Sequence, residues 1–227
     1  MDVAILCTGA PPPDLAPRFG DYGAMFGRLL GPGFEPRVYG VAGGELPSAP
    51  DAHPAVLITG SAAGVYEPSP WIDPLLRFIR EAKGRTRLVG ICFGHQAMAE
   101  ALGGRVEKSE RGWGIGLQDY ELWGRASWMG EAPPERIAVP VSHQDQVVVP
   151  PAGARILGGN AFTPFGILDY GDSLSMQFHP EFGADYATAL IEHRRARVPN
   201  PDAAIASLER PDDRALVAEW IRAFIRG

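Results

Sequence analysis

Short apolar runs alternate with amphipathic stretches through the first hundred residues. "VAILC" (3–7), "PRVYGV" (36–41), "AVLITG" (55–60) and "RLVGIC" (87–92) are strand-like runs that stop at Gly, Pro or polar loops, as buried strands do. Between them, "YGAMFGRLLG" (22–31) sets Met25, Phe26, Leu29 and Leu30 on one helical face. "WIDPLLRFIREAKG" is apolar at 71, 72, 75, 76, 78 and 79. Ser69 is its expected N-cap, with Pro70 at the first helical position. "GHQAMAEALGG" reads as a short Ala-rich helix with a glycine stop.

Strands alternating with helices of this length predict parallel pairing in a layered α/β sheet. Sites in such sheets form beyond the carboxyl ends of the strands, where Gly60 and Cys92 stand. After residue 104 the pattern changes. "GWGIGLQDYELW", "RIAVPVSH", "QVVVP", "ARILGG" and "FGILDYG" are short β-like runs between turn residues. They predict an antiparallel excursion that returns to the main sheet at "SMQFHP". Residues 183–227 form a helical tail with a break at "VPNPD". Its last helix, "RALVAEWIRAFIRG", shows an apolar face of Leu216, Val217, Trp220, Ile221, Phe224 and Ile225. The whole chain, 1–227, is expected to be one domain that includes this tail.

Composition narrows the function more than the fold. The 227 residues are 45% hydrophobic and 21% charged, an ordinary globular balance. The net charge is -6 and the longest basic run is "HRRAR" near 193. That argues against nucleic acid or an anionic membrane as the main partner. The N-terminus lacks a basic leader, and its apolar run is too short to span a membrane, so a cytoplasmic location is expected. Two cysteines, Cys7 and Cys92, make no disulfide scaffold and have no metal-ligand spacing. No metal and no cofactor are expected.

The candidate chemistry begins at "GICFG", with Cys92 where a strand turns into a helix. Gly90 and Gly94 leave room for a sharp turn, and the apex residue is strained with its side chain exposed. The helix start favours a thiolate, and the Phe93 N–H would face an oxyanion formed by attack of the sulfur. Cys92 could equally be a small hydrophobe at a strand end; its own neighbours leave both readings open. Cys7, with no such setting, is read as inert. A distant segment tilts the balance. "QFHPE" supplies His179 as base and Glu181 two residues on as its orienting carboxylate, on the same side of an extended segment. His95, three residues past Cys92, is the next candidate base. His53 and His193 are read as structural or solvated.

"GICFGHQ" with a later "HPE" resembles the glutamine-hydrolysing domain of class I, triad-type glutamine amidotransferases, in particular stand-alone proteins similar to the amidotransferase domain of GMP synthetase. The resemblance covers about residues 1 to 190. It implies a flavodoxin-like, three-layer α/β fold, with a mostly parallel twisted sheet flanked by helices and a small antiparallel β excursion. It also implies a Cys92, His179, Glu181 triad that releases ammonia from L-glutamine through a γ-glutamyl thioester. By the same likeness, Gly60 and Ser61 of "ITGSAAGVYE" supply the second oxyanion N–H, although "TGS" stands where many members have two glycines and a proline. "SHQDQV" matches a family segment that would make Ser142, His143, Gln144 and Asp145 line the substrate's amino-acid end. Gln96 would contact that end too, and Trp113 could wall the aliphatic stem if it is not simply a core aromatic.

No ammonia-using synthetase motif stands in the chain, so any acceptor would be a separate synthetase subunit. Three functions therefore remain: a glutaminase or stand-alone glutamine amidotransferase, a γ-glutamyl hydrolase or peptidase acting on a larger γ-glutamyl compound, and a non-catalytic binding protein. The loops "SAAGVYEPSP" and "GRASWMGEAPPE" are expected to set the room for the leaving group.

Overall fold

The computed structural model describes residues 1–227. Eleven strands form: β1 (Asp2–Cys7), β2 (Glu35–Gly40), β3 (Ala55–Ile58), β4 (Arg87–Ile91), β5 (Arg105–Lys108), β6 (Gly114–Leu122), β7 (Arg136–His143), β8 (Asp145–Val149), β9 (Arg155–Gly159), β10 (Ile167–Asp169) and β11 (Ser173–Met176). Seven helices join them: α1 (Ala16–Phe19), α2 (Tyr22–Leu30), α3 (Ile72–Ala82), α4 (Phe93–Ala101), α5 (Ala184–His193), α6 (Pro201–Ser207) and α7 (Arg214–Arg226). None is long and apolar enough to cross a membrane.

Nine strands make one sheet in the order β2-β1-β3-β4-β11-β10-β9-β6-β7. The run from β2 to β11 is parallel, and the remaining pairs are antiparallel. The expected excursion is thus mostly a continuation of the main sheet. Only β5 and β8 form a separate two-stranded sheet.

Strand alternation builds the three layers. Val3 and Ile5 of β1, Ala55 and Leu57 of β3 and Val89 and Ile91 of β4 face one core. Their neighbours Ala4, Leu6, Val56, Ile58 and Leu88 face the other, as the two-residue period of a strand requires. The first core is closed by Phe26 and Leu30 of α2 and by Trp220, Ile221 and Phe224 of α7. The second is closed by Leu75 and Ile79 of α3 and by Ala97 and Met98 of α4. Burying a large apolar side chain is worth roughly 1.5–3 kcal/mol. Several such side chains hold the 13-residue α7, whose length alone would leave it marginal.

One helix start differs from expectation. Ser69 does not cap α3, which begins at Ile72 behind Trp71 with no side-chain cap. The reason lies in Pro74. In a helix starting at Pro70, residue 74 would have to donate its N–H to the Pro70 carbonyl, and proline has none. Starting at Ile72 places Pro74 in the first turn, where amides have no intrahelical acceptor.

Register brings three strand ends together. Ile58 pairs with Gly90, and Ile91 with Met176. Residues just beyond β3, β4 and β11 therefore meet at one edge. The antiparallel half curls back to the same place, since the His179 N–H donates to the Pro140 carbonyl of β7 at 2.9 Å.

Candidate active site

Cys92 stands between β4 and α4 with φ 53° and ψ −103°, a left-handed conformation that costs of order 1–3 kcal/mol for a residue with a side chain. The surroundings enforce it. A Cβ on Gly90 would lie 2.5 Å from the Gly94 carbonyl oxygen, and one on Gly94 would collide with the Ile58 carbonyl. The Cys92 N–H is tied to the Met176 carbonyl at 2.8 Å and the Gly94 N–H to the Thr59 carbonyl at 3.1 Å. At the first position of α4, the Phe93 amide has no intrahelical acceptor.

His179 lies beside this turn. The Gly60 Cα marks the closeness: a Cβ there would be 3.0 Å from His179 Cε1 and 3.6 Å from Cys92 Cβ. His179 Nδ1 bonds to Glu181 Oε1 at 2.7 Å, and both side chains are nearly inaccessible. The pair forms across a turn, closed by the Phe182 N–H donating to the His179 carbonyl at 3.2 Å, rather than along an extended segment. Phe182 stacks on the imidazole, with centroids 4.0 Å apart and planes 3° apart. Burial opposes charge on His179. Negative charge at Cys92 and Glu181, and hydrogen bonds to both, outweigh it and push His179 up to about 10.

The Gly60–Ser61 peptide is clamped. The Gly60 carbonyl accepts from Thr59 Oγ1 at 3.1 Å and shares the Thr8 hydroxyl proton, 3.1 Å away, with the Thr59 carbonyl at 3.0 Å, and the Thr8 N–H donates to Thr59 Oγ1 at 3.1 Å. Every peptide bond is trans. The Ser61 N–H therefore points opposite to the held carbonyl, away from the threonines. Sequence reasoning passed over Thr8 and Thr59. A signal was present, for the same Thr-Gly pair ends two neighbouring strands, β1 and β3.

A cavity of about 240 Å³ opens over Cys92 and His179. Gly60, Ser61, Ser142, His143, Gln144 and Asp145 line it, together with Gln96 and Trp113. Gln96 Nε2 is already engaged, donating to the Asp145 carbonyl at 2.9 Å and to Gln177 Oε1 at 3.2 Å. It thereby supports the 142–145 turn. His143 donates its Nδ1–H to the Asp145 carbonyl at 3.1 Å. Burial and the nearby His179 push it down to about 3, so it is neutral at pH 7. Burial raises Asp145, whose Oδ1 accepts from Tyr66 at 3.1 Å. Of the two loops expected to shape the leaving-group space, the first supplies Ser61, Ala62 and Ala63. The second, 124–135, does not reach the cavity, because Trp128 packs against Trp220 and Phe224 of α7.

His95 lies behind the turn. It is fully buried, with Nδ1 on Ser175 Oγ at 2.7 Å, and burial, then His143, push it down to about 3. It is no part of the cavity wall. His53 is held by Tyr39 and Asp2, and His193 by Asp14. Cys7 lies elsewhere, its thiol raised to about 11 by burial and by Asp21. The cavity also takes Tyr22 and, from the tail, Leu190, Arg194 and Arg197. The sequence signalled the arginines only as a basic run.

The class-I glutamine amidotransferase model matches residues 51–194, well over half of the chain. The chain belongs to the class-I glutamine amidotransferase family. Within this family it is 29% identical to γ-glutamyl peptidase 4 of Arabidopsis thaliana over 183 residues, 77% of this chain and 73% of that protein. It is 30% identical to a glutamine-hydrolysing GMP synthase of Pyrobaculum aerophilum over 176 residues, which is 76% of this chain but 32% of the larger synthase. Its fold superimposes on a glutamine amidotransferase structure from Thermotoga maritima with a TM-score of 0.80 at 21% identity, covering 99% of this chain and 98% of the other. The GMP synthase likeness and the three-layer fold expected from "GICFGHQ" and "HPE" are both found.

Proposed function

We propose that this amidotransferase-family chain hydrolyses a γ-glutamyl amide, with L-glutamine as the smallest substrate, to glutamate and the free amine through a thioester on Cys92. One observation carries the reading: a strained cysteine at the cavity floor beside a buried histidine that is bonded to a buried carboxylate. In this reading the Cys92 sulfur attacks the amide carbon, and the oxygen gains charge facing the Phe93 and Ser61 N–H groups. His179 gives its proton to the departing nitrogen, so ammonia leaves and the γ-glutamyl thioester remains. Water then attacks the thioester, His179 takes its proton, and glutamate leaves with the thiolate restored. Glu181 holds the imidazole and stabilises its charged form. Released ammonia would go to solvent or to a separate synthetase subunit.

A second reading, hydrolysis of γ-glutamyl peptides, has the same chemistry with a larger leaving amine. The likeness to a γ-glutamyl peptidase over three quarters of both chains favours it. Both are tested by incubating the protein with glutamine and a panel of γ-glutamyl amino acids and dipeptides, and measuring free glutamate. Glutamate release that is faster from glutamine supports the first reading, and faster release from the peptides supports the second. Release from none of them supports a binding protein and overturns the proposal.

A further inference from the structure

Phe182 follows Glu181 directly in "QFHPEF", and no step of the proposed hydrolysis uses it. Its ring lies flat on the His179 imidazole, with centroids 4.0 Å apart and planes 3° apart. Aromatic pairs usually stand farther off, with centroids about 4.5–7 Å apart. The other contacts of this ring follow that habit. Tyr186 of α5 meets it at 4.6 Å and 65°, and Tyr22 of α2 at 6.2 Å and 33°. Tyr186 is itself met edge-on by Phe19 of α1, at 5.2 Å and 76°. Phe182 is 2% exposed. Aromatic side chains from three helices thus fix the plate on which the imidazole rests.

Hydrogen bonds hold the imidazole only by its edges, one between Nδ1 and Glu181 at 2.7 Å and one to Cys92. Bonds at two ring nitrogens leave the ring free to swivel about the line joining them. A parallel surface against its face stops that motion. Gly60 crowds another side, where a Cβ would stand 3.0 Å from Cε1. The face of an aromatic ring is also its negative region, so it favours a positive charge laid over it.

We infer that Phe182 is a positioning residue: its ring fixes the plane of His179 and stabilises the charged imidazole, so that one ring serves the sulfur, the departing nitrogen and the attacking water in turn. This rests on the hydrolytic reading above and deepens it. Each transfer needs the ring nitrogen within hydrogen-bond reach of its partner, and a small misplacement of a reacting group costs rate steeply. An aliphatic side chain in the same space would supply neither the flat contact nor the negative face.

Phe182→Leu, Phe182→Met and Phe182→Tyr in the full chain test the inference. In Phe182→Leu, kcat for glutamate release is expected to fall about 10-fold or more, with KM little changed. Phe182→Tyr, which keeps the ring, should recover most of the loss. A second readout needs no turnover. Followed by NMR of its ring C–H signals, His179 should titrate about 0.5 pH unit or more lower in Phe182→Leu than in wild type, the size of a cation–π contact. Cys92 and Glu181 act on His179 directly, His143 of β7 lies near it, and Tyr22, Asp145 and Arg194 line the same cavity; all stay in place in these variants. Unchanged kcat and titration in Phe182→Leu, an equal loss in Phe182→Tyr, or a rise in KM at constant kcat overturns the inference. If Phe182→Leu does not fold, Phe182→Met carries the same expectations, and loss of the fold in both makes the ring structural and overturns it too. The hydrolytic reading fails separately. A lowered titration in a protein that releases glutamate from no substrate would uphold the hold of Phe182 on His179 and refute hydrolysis. Wild-type titration and kcat in Phe182→Leu of an active protein would do the reverse.

Discussion

Two buried histidines flank the first turn of α4, and their surroundings drive them to opposite states. His179, in front, has Cys92 on one side and Glu181 on the other, and is pushed up to about 10. His95, behind, has the hydroxyl of Ser175 and the neutral His143 nearby, and is pushed down to about 3. Burial opposes charge on both, and the neighbours make the difference: Cys92 and Glu181 raise His179, whereas His143 lowers His95 further. Closeness in sequence misleads here: His95 is three residues from Cys92 and faces away, whereas His179 comes from another strand end.

The largest effect should come from removing the side chain that carries the proposed chemistry and that helps to raise His179. Cys92→Ala is expected to lower glutamate release by on the order of 10⁴-fold or more, as loss of a triad nucleophile does. A steady-state assay that found wild-type turnover in this variant would return Cys92 to the role of a buried hydrophobe. Next comes the carboxylate bonded to His179. Glu181→Gln should keep the fold by circular dichroism yet slow turnover by about 10²–10⁴-fold, the scale seen when a triad carboxylate is neutralised. It should also change the alkaline side of stability. A raised histidine contributes stability that is complete below its unfolded value of about 6.5 and is lost as pH rises through its folded value, here about 10. The wild-type loss across that window should shrink in Glu181→Gln, measured as Tm against pH. An unfolded variant would mean that the pair serves structure.

A smaller effect tests the front of the turn through residues that never touch substrate. Thr59→Val removes one of the two hydroxyls holding the Gly60 carbonyl. Removing an oxyanion donor outright costs about 10²–10³ in kcat; loosening its orientation should cost about 10-fold, with KM little changed. A rise in KM at constant kcat would show that the clamp shapes the binding site instead.

The parallel half of the fold was legible because its central strands β1, β3 and β4 are apolar and buried on both faces and its helices are strongly one-sided. "VAIL", "AVLI" and the face of α7 each announce their burial. β5 was not legible: "RVEK" has one apolar residue, and only Val106 is buried. Its strand state is imposed by pairing with β8. The candidate triad could be read because a cysteine between two glycines and a histidine two residues from a carboxylate are local patterns. Arg194 and the threonines could not. Their places beside the cavity and the Gly60 carbonyl depend on which way a helix end turns, and on two strand ends lying side by side, which no spacing along the chain reports.

The mildest prediction concerns the back of the turn. His95→Gln keeps a group able to hydrogen-bond Ser175 and touches nothing in the cavity, so turnover should stay within about 3-fold while the buried network loses about 1–3 kcal/mol. The sign of its pH dependence is opposite to that of His179. A lowered histidine contributes stability that is present above its unfolded value of about 6.5 and is lost as pH falls toward its folded value, here about 3. His143 adds to the same acid slope. The stability gap between wild type and His95→Gln, read from Tm, should therefore narrow from pH 7 to pH 4. A gap constant across that range would show that His95 never resisted protonation. A loss of turnover rivalling that of Glu181→Gln would mean that the imidazole behind the turn, not the one in front, serves the cysteine.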